Sequence, residues 1–282
     1  MQAILSIQSD VAYGHVGHAA AVFPLQRLGF EVWPVNTVQL GHHPGYGRFR
    51  GHLVEPERLA VIVDAVLDQA PLESCVGLLA GYLGDAAVAD VILKALDAIR
   101  PVNPDLTFLL DPVIGDDGSG VFVRPDVPEA IQGRLLPRAS IVTPNRFELS
   151  HLTGHRIESV DEAGLAAERL LAEGPGLVVA TGLPLADDRE ELGLLALSRD
   201  ERLLIRTPKL GRGFSGTGDA FSALFLGHYL RAPDLQTAFE RAASAIFSLV
   251  ELTERQGEQE LSLVAAQDLF TAAEPRFSAI RI

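Results

Sequence analysis

The sequence predicts an α/β fold in which helices cover both faces of a mainly parallel central sheet. Short apolar runs alternate along the chain with longer segments whose apolar residues recur at helical spacing. Glycine, proline or polar residues bound these segments, and strands that are separated by helices pair in parallel. The chain has 282 residues, 48% of them hydrophobic, and shows no internal repeat or linker, so we expect residues 1–282 to form a single domain.

The predicted strands are short apolar runs that stop at a turn signal or a polar residue. The first run stops at Gln8-Ser9-Asp10, which is predicted to be a loop, and the fourth stops at Asp111. In chain order the predicted strands are residues 3–7, 30–38, 75–80, 106–110, 140–142, 177–180, 191–198 and 202–206. The last two lie next to each other in the chain, which predicts an antiparallel hairpin.

The predicted helices carry apolar residues at helical spacing between start and stop signals. Gly29, for example, takes the position of a C-cap after the first helix. In chain order the predicted helices are residues 19–28, 56–68, 85–99, 127–136, 145–152, 161–172, 217–230 and 235–255. A glycine- and histidine-rich loop, residues 39–51, precedes the second helix, and its length and composition are typical of a lid.

The composition excludes several classes of partner. Lysine and arginine number 23 against 37 aspartates and glutamates, which gives a net charge of −14 at pH 7. That charge repels phosphate backbones and anionic lipid, so we expect neither nucleic acid nor a membrane as a partner. The single cysteine, Cys75, allows no intrachain disulfide. The first basic residue is Arg27 and no apolar stretch reaches the ~18 residues of a membrane span, so a cytoplasmic protein is expected.

The segment 214–223 carries the strongest chemical signal. Gly216 and Gly218 can bring backbone N–H groups close to an anion at the start of the helix that follows. Asp219, in the first turn of that helix, is placed to accept a proton from an attacking hydroxyl. Taken alone, the segment fits an ordinary capped helix equally well.

Polar residues at two other strand ends strengthen the functional interpretation. Asp111 directly follows an apolar strand, and Asn145 and Glu148 are spaced i, i+3 at a helix start, which puts them on one face. In α/β sheets ligands bind beyond the carboxyl ends of the strands, where all these residues are expected to lie. Two carboxylates and an amide around an anion site suit a hydrated Mg²⁺ ion between phosphates.

Several stretches of the chain resemble the pyridoxal kinases of the ribokinase-like superfamily. The resemblance runs from Ile4 to the C-terminal helices. Its most specific stretches are residues 23–32, 35–39, 81–84, 111–113, 143–145 and 216–219. The Gly-Thr-Gly-Asp of residues 216–219 is shared by the whole superfamily and indicates only the reaction, whereas residues 23–32 and 35–39 indicate the vitamin B6 branch. The resemblance implies a ribokinase-like fold and ATP-dependent phosphorylation of the 5′-hydroxyl of pyridoxal.

The resemblance also implies roles on the substrate side. Asp219 would be the base for the 5′-hydroxyl, with the amides of residues 216–218 holding the transferring phosphoryl group. The remaining substrate residues would surround the pyridine ring: Ser9 would hydrogen-bond it, Val16 and Leu40 would line its pocket, and Tyr82 would stack on it.

On the nucleotide side, the resemblance implies that Asp111 and Glu148 order Mg²⁺ through water. The other residues would bind ATP: Asn145 and Thr217 near its phosphates, and Thr143 and Thr181 in the phosphate and monovalent-cation region. A monovalent cation such as K⁺ is therefore a candidate cofactor beside Mg²⁺. Family members that resemble the chain are usually homodimers, so a homodimer is expected.

Two departures from the family pattern fall on the substrate side. A histidine that usually follows the serine is Asp10 here, and a threonine of the lid loop is Pro44, which has neither a side-chain donor nor an N–H. Two alternatives keep the fold: a kinase acting on a hydroxymethylpyrimidine or a sugar, and a non-catalytic B6-binding protein. The intact residues 216–219 argue against the second, because a binding protein needs no base beside an anion site.

Overall fold

A ten-stranded mixed sheet organises the computed structural model, which describes residues 1–48, 50–185, 190–272 and 274–282. Strands are numbered in chain order, and β6 and β7 form a separate small hairpin. The strands are β1 (Ala3–Val11), β2 (Glu31–Leu40), β3 (Gly51–Leu53), β4 (Cys75–Ala80), β5 (Thr107–Leu110), β6 (Gly115–Asp116), β7 (Gly120–Val121), β8 (Ile141–Val142), β9 (Leu177–Pro184), β10 (Glu191–Ser198), β11 (Arg202–Pro208) and β12 (Ile280–Arg281).

The helices fill the connections between the strands. They are α1 (His18–Arg27), α2 (Pro56–Gln69), α3 (Val88–Ile99), α4 (Val127–Ala130), α5 (Arg146–Thr153), α6 (Val160–Ala172), α7 (Thr217–Arg231) and α8 (Leu235–Gln256). Across the sheet the strand order is β12-β11-β10-β9-β8-β5-β4-β1-β2-β3. The six central strands of this order, from β9 to β2, pair in parallel with their neighbours. At one edge β3 pairs antiparallel with β2, and at the other edge β10, β11 and β12 add antiparallel strands.

The core lies on both faces of the sheet. Alternate residues of a strand point to opposite faces. Ile4 of β1 accordingly belongs to the core cluster that includes residues of α1, α7 and α8, whereas Leu5 belongs to the cluster on the other face, which includes residues of α2, α3 and α6. The predicted fold class, a single α/β domain with a mainly parallel sheet between two helical layers, is confirmed. The carboxyl ends of the parallel strands therefore meet at one edge.

Some element boundaries differ from the prediction for identifiable reasons. Residues 8–10 are not a loop, because β1 continues to Val11 and pairs again with β2 after a bulge between Gln8 and Asp10. The loop predicted over residues 39–51 is shorter in the structure, since its first two residues belong to β2 and Gly51 begins β3. The predicted helix 127–136 ends at Ala130 and is followed by one π-helical turn.

The short strands β3 and β12 were not predicted. They have three and two residues respectively, all of them exposed, and so few residues carry no apolar pattern. The predicted hairpin is confirmed, with β10 and β11 antiparallel. Within the part of the chain that the structure describes, no helix combines the length and apolarity needed to cross a membrane.

Candidate active site

Three carboxylates gather at the carboxyl edge of the sheet. Asp111 follows β5, Glu148 lies in the first turn of α5, and Asp219 lies in the first turn of α7. Burial raises the pKa of Glu148 to about 7, and the nearby charge of Asp219 contributes to the rise. Burial also raises the pKa of Asp111 well above its ordinary value, and the charges of Glu148 and Asp219 add to that effect. The cluster is therefore a site of concentrated negative charge.

Glu148 is held in place by the start of its own helix. Its Oε2 accepts the backbone N–H of Asn145 at 2.9 Å, and the Asn145 Oδ1 accepts the N–H of Glu148 at 2.9 Å. This reciprocal pair is a capping box, which explains the i, i+3 spacing in the sequence. The other Glu148 oxygen accepts the N–H of Ile114, and the Asn145 amide donates to the carbonyl of Gly115. The capping box thus fixes α5 to the chain that follows β5.

A chain of hydroxyl groups orients Asp111. The Ser222 hydroxyl donates to Asp111 Oδ2 at 2.9 Å and lies 2.8 Å from the hydroxyl of Thr143. Because Ser222 has one proton and gives it to the carboxylate, the Thr143 hydroxyl donates to Ser222. All three side chains are buried. Thr143 therefore reaches the carboxylate cluster through Ser222, a residue of α7 that sequence reasoning missed.

Asp219 lies beside a glycine-rich helix start. Gly216 caps α7 with a left-handed backbone at φ 83°, and Thr217 closes the turn by donating to the carbonyl of Phe214 at 2.8 Å. The carboxylate accepts backbone hydrogen bonds from Gly17 and from its own N–H, but burial outweighs them and raises the pKa of Asp219 to about 6. A carboxyl group with this pKa is ionised at neutral pH and remains basic enough to accept a proton.

The glycines pack the turn before α1 tightly against the start of α7. A Cβ atom added at Gly216 would lie 1.7 Å from the backbone oxygen of His15 and 3.3 Å from the Cα of Val16. A Cβ added at Gly17 would lie 2.1 Å from the backbone oxygen of Ser9. Both positions therefore require glycine. Two predicted substrate residues, Ser9 and Val16, are thereby brought next to the predicted anion site.

Ser9 of β1 faces a bulge in β2, where the pairing of the two strands shifts by one residue. Leu40 ends β2, and its carbonyl accepts the N–H of Ala12 at 2.9 Å. Tyr82 follows β4, the other neighbour of β1, and its carbonyl accepts the hydroxyl of Thr37 at 2.6 Å. Burial raises the pKa of the Tyr82 phenol above its ordinary value. The predicted ring residues thus flank one another at the ends of three neighbouring strands.

Thr181 lies on the nucleotide side of the predicted site. It forms an isolated parallel bridge with Asn145, and its N–H donates to the carbonyl of Pro144 at 3.0 Å. These contacts join the chain that follows β8 to β9. The hydrogen bonds and backbone packing link every predicted nucleotide residue to the carboxylate cluster or to the start of α7.

The carboxylate cluster fits a divalent cation that keeps its waters. No three His, Cys, Asp or Glu side chains within the described ranges are grouped closely enough to hold a metal ion by themselves. Mg²⁺ is bound in proteins by one or two carboxylates, several waters and substrate phosphates, and does not need such a group. Burial is the main cause of the raised pKa values of Asp111 and Glu148, and the charge of Asp219 adds to both. A cation would relieve both effects.

Two functional residues left only weak signals in the sequence. Gly17 precedes α1 in the stretch Gly-His-Val-Gly, but its contact with Asp219 depends on packing between distant segments. Ser222 comes three residues after Asp219, so helical spacing places it on the same face of α7. A polar residue at that position in an otherwise apolar helix was the available signal.

The sheet and the glycine-rich helix start place the chain among the small-molecule kinases of ribokinase-like fold. Residues 47–263 match a family model described as phosphomethylpyrimidine kinase. The chain is 45% identical to a protein of Rubrobacter xylanophilus named pyridoxal kinase PdxY, over 99% of this chain and 97% of that protein. The chain belongs to the pyridoxal kinase family.

Solved structures agree with that family. A pyridoxal kinase from Leishmania donovani in complex with ADP and ginkgotoxin is 30% identical, with a TM-score of 0.93 over 100% of both chains. The same kinase in complex with ADP and pyridoxine is 29% identical, with a TM-score of 0.92 over 99% of both chains. The predicted family, fold and class of enzyme are confirmed.

Proposed function

We propose that this protein transfers the γ-phosphoryl group of ATP to the 5′-hydroxyl of pyridoxal, giving pyridoxal 5′-phosphate and ADP. The observation that carries the proposal is the placement of Asp219, a carboxylate of raised pKa at a glycine-rich helix start. The relatives named pyridoxal kinase and the solved complexes with ADP support the same reaction. Residues 1–282 act as one kinase domain.

Asp219 is the proposed base and therefore a catalytic residue. Its carboxylate accepts the proton of the 5′-hydroxyl as the oxygen attacks phosphorus. The bond from the Gly17 N–H holds the Asp219 carboxylate at the start of α7, beside the proposed anion site. A positioned general base contributes about 10²–10⁴-fold to a rate.

The start of α7 holds the transferring phosphoryl group in this proposal. Free N–H groups of residues 216–218 face the anion, and the positive end of the helix dipole favours it. Phosphoryl transfer is accelerated mainly by positioning and by neutralisation of charge, both of which these amides supply. Gly216 and Gly218 therefore act through their backbones.

Asp111 and Glu148 are the proposed Mg²⁺ residues and act through water. The ion, when bound, would neutralise charge on the transferring phosphates. The other nucleotide residues bind ATP directly: Thr143, Asn145, Thr181 and Thr217. These residues lie just after β8, within β9 or at the start of α7. A monovalent cation such as K⁺ is proposed to bind beside Thr143 and Thr181.

The pyridine ring is proposed to bind between the ends of β1, β2 and β4. Ser9 hydrogen-bonds the ring, Val16 and Leu40 line its pocket and Tyr82 stacks on it. Tyr82 is half-buried, which suits a tyrosine ring that a ligand covers on one face. The Leishmania donovani structure with pyridoxine supports a B6 ligand in a fold of this kind.

A panel of acceptor alcohols with Mg-ATP tests the proposed function. We expect faster turnover on pyridoxal or pyridoxine than on hydroxymethylpyrimidine and ribose. The family model described as phosphomethylpyrimidine kinase makes the pyrimidine a specific second candidate. Faster turnover on the pyrimidine would replace the proposed substrate, and binding of pyridoxal without turnover on any alcohol would indicate a binding protein.

We also propose that the protein is a cytoplasmic homodimer. Apolar side chains are exposed on α2 and on the edge strand β3, namely Val61, Ile62 and Leu53, and such a surface suits a second copy of the chain. Sedimentation of the wild type against Ile62→Asp tests this. A dimer that the substitution converts to monomer supports the interface, and a monomeric wild type contradicts it.

A further inference from the structure

Glu260 follows α8 in a stretch of exposed residues, but its own carboxylate points inward. The side chain is only 13% exposed, while residues 256–259 are exposed. It lies outside the proposed catalytic residues, and no sequence motif marks it. A glutamate that is this buried needs partners, since removal of its charge from water is costly.

Both carboxylate oxygens bind residues of the chain segments that flank the substrate pocket. Oε2 accepts the backbone N–H of His15 at 2.7 Å, and Oε1 accepts the hydroxyl of Tyr46. The Nε2 of His43 lies 3.7 Å from Oε1. The carboxylate also packs flat on Gly14, where an added Cβ would lie 2.7–2.9 Å from its atoms. One side chain thus joins turn 14–17, loop 41–48 and the segment after α8.

Turn 14–17 connects Glu260 to the proposed chemistry. On its other side the turn packs against Gly216, where an added Cβ would lie 1.7 Å from the backbone oxygen of His15. The next residues are Val16, which is a proposed ring contact, and Gly17, whose N–H binds Asp219. The turn is therefore held between Glu260 and the start of α7, and a shift of the turn moves the Gly17 donor.

Loop 41–48 connects the same carboxylate to the mouth of the pocket. Tyr46 packs its ring against Tyr13 at 6.0 Å and against His43 at 4.7 Å. The carbonyl of Gly41 accepts the N–H of Tyr13 at 2.9 Å. The hydrogen bond to Glu260 is the largest cause that raises the pKa of Tyr46 to about 12, so the phenol keeps its proton at neutral pH.

We propose that Glu260 is a positioning residue for phosphoryl transfer, a role that rests on the proposed kinase function. Its bond to His15 fixes turn 14–17, and with it the Gly17 donor to Asp219. Its bond to Tyr46 holds loop 41–48 beside the ring pocket. The first bond serves the chemical step, and the second serves binding of the acceptor alcohol.

Two variants separate these bonds in steady-state kinetics. Tyr46→Phe removes only the bond to the loop, so we expect the KM for pyridoxal to rise about three- to tenfold with kcat within twofold of wild type. Glu260→Ala removes both bonds, so kcat should also fall, by about tenfold or more, with the KM for ATP changed less than threefold. Glu260→Gln retains an acceptor for the His15 N–H and should recover most of kcat.

Matched controls and amide exchange complete the experiment. Glu168→Gln, on the exposed face of α6, and Tyr229→Phe, near the end of α7, make the same chemical changes elsewhere and should leave the kinetics unchanged. Hydrogen exchange of residues 14–17 should accelerate in Glu260→Ala but not in Tyr46→Phe. The inference is overturned if Glu260→Ala keeps kcat and exchange as in wild type, or if Glu260→Gln loses as much kcat as Glu260→Ala.

Failure of the proposed function would look different. If wild type phosphorylates another alcohol instead of pyridoxal, the same variants measured with that alcohol test Glu260. If wild type phosphorylates no alcohol, the proposed function fails and the role of Glu260 in phosphoryl transfer is overturned with it. Amide exchange would then report only whether the carboxylate holds turn 14–17.

Discussion

Replacement of Asp219 by asparagine tests the base and its electrostatic environment together. The substitution keeps the shape of the side chain and an oxygen that can accept the Gly17 N–H, but it removes the proton acceptor and the charge. We expect turnover to fall by about 10²–10⁴-fold, the contribution of a positioned general base, with the KM for ATP nearly unchanged.

The same substitution should stabilise the unliganded protein. The pKa of Asp219 rises on folding from 3.8 to about 6, which corresponds to about 3 kcal/mol at ~1.4 kcal/mol per unit. Because the folded state holds the proton more tightly, this contribution to stability is present below pH 3.8 and is lost as the pH rises through about 6. The asparagine side chain carries no charge, so the Asp219→Asn variant avoids that loss.

Urea unfolding at pH 8 and at pH 4 measures the effect, with the fluorescence of Trp33 as the signal. The free energy of unfolding of the variant should exceed that of wild type by up to about 3 kcal/mol at pH 8. At pH 4 the difference should shrink to below about 1 kcal/mol, because Asp219 is then protonated in the folded protein.

Two results would refute this reasoning. Turnover within a few-fold of wild type would remove Asp219 from the mechanism. A stability difference that is the same at both pH values would mean that the carboxylate is not disfavoured by its surroundings. A variant that loses activity without the pH-dependent gain in stability would still support the base and contradict the electrostatic account.

Three further predictions concern the metal, the loop and the glycines. Asp111→Ala or Glu148→Ala should raise the Mg²⁺ concentration needed for half-maximal rate as well as lower the rate, and an unchanged Mg²⁺ titration would contradict a metal role. Pro44→Thr, at the exposed start of a short helical turn, should lower the KM for pyridoxal by roughly two- to twelvefold at most, as one recovered hydrogen bond allows, without changing that for ATP. Gly216→Ala should reduce thermal stability and activity, because its Cβ would lie 1.7 Å from the backbone oxygen of His15. The Cβ of Gly218→Ala would meet nothing within 4 Å, so that variant should fold as wild type. Equal melting temperatures for the two variants would contradict the packing argument.

The sequence predicts the carboxylate cluster because topology does most of the placement. Asp111 and Asn145 each come soon after a parallel strand, and such strands end at one edge of the sheet. Thr181 was predicted to follow a strand as well, but it lies within β9. The i, i+3 spacing of Asn145 and Glu148 predicts a shared helix face, which the structure contains as a capping box. These inferences need only strand order and helical periodicity.

Contacts between distant segments could not be predicted in the same way. Residues 8–10 are polar, so the sequence pattern predicted a loop there, whereas β1 continues past a register shift opposite Ser9. The bonds of Glu260 to His15 and Tyr46 join segments more than 200 residues apart. Neither depends on a local pattern; both arise from packing of the finished fold.

The three carboxylates are not equivalent, and the difference explains where a cation is needed. Glu148 and Asp219 lie at helix starts and accept backbone N–H groups, which hold down the pKa that burial raises. Asp111 follows a strand instead, and the structure gives it the hydroxyl of Ser222 as its pKa-lowering hydrogen bond. Its pKa is accordingly raised well above its ordinary value, by burial first and then by the charges of Glu148 and Asp219. A cation near Asp111 would therefore relieve the least compensated charge, and it would favour the ionised form of all three groups at once.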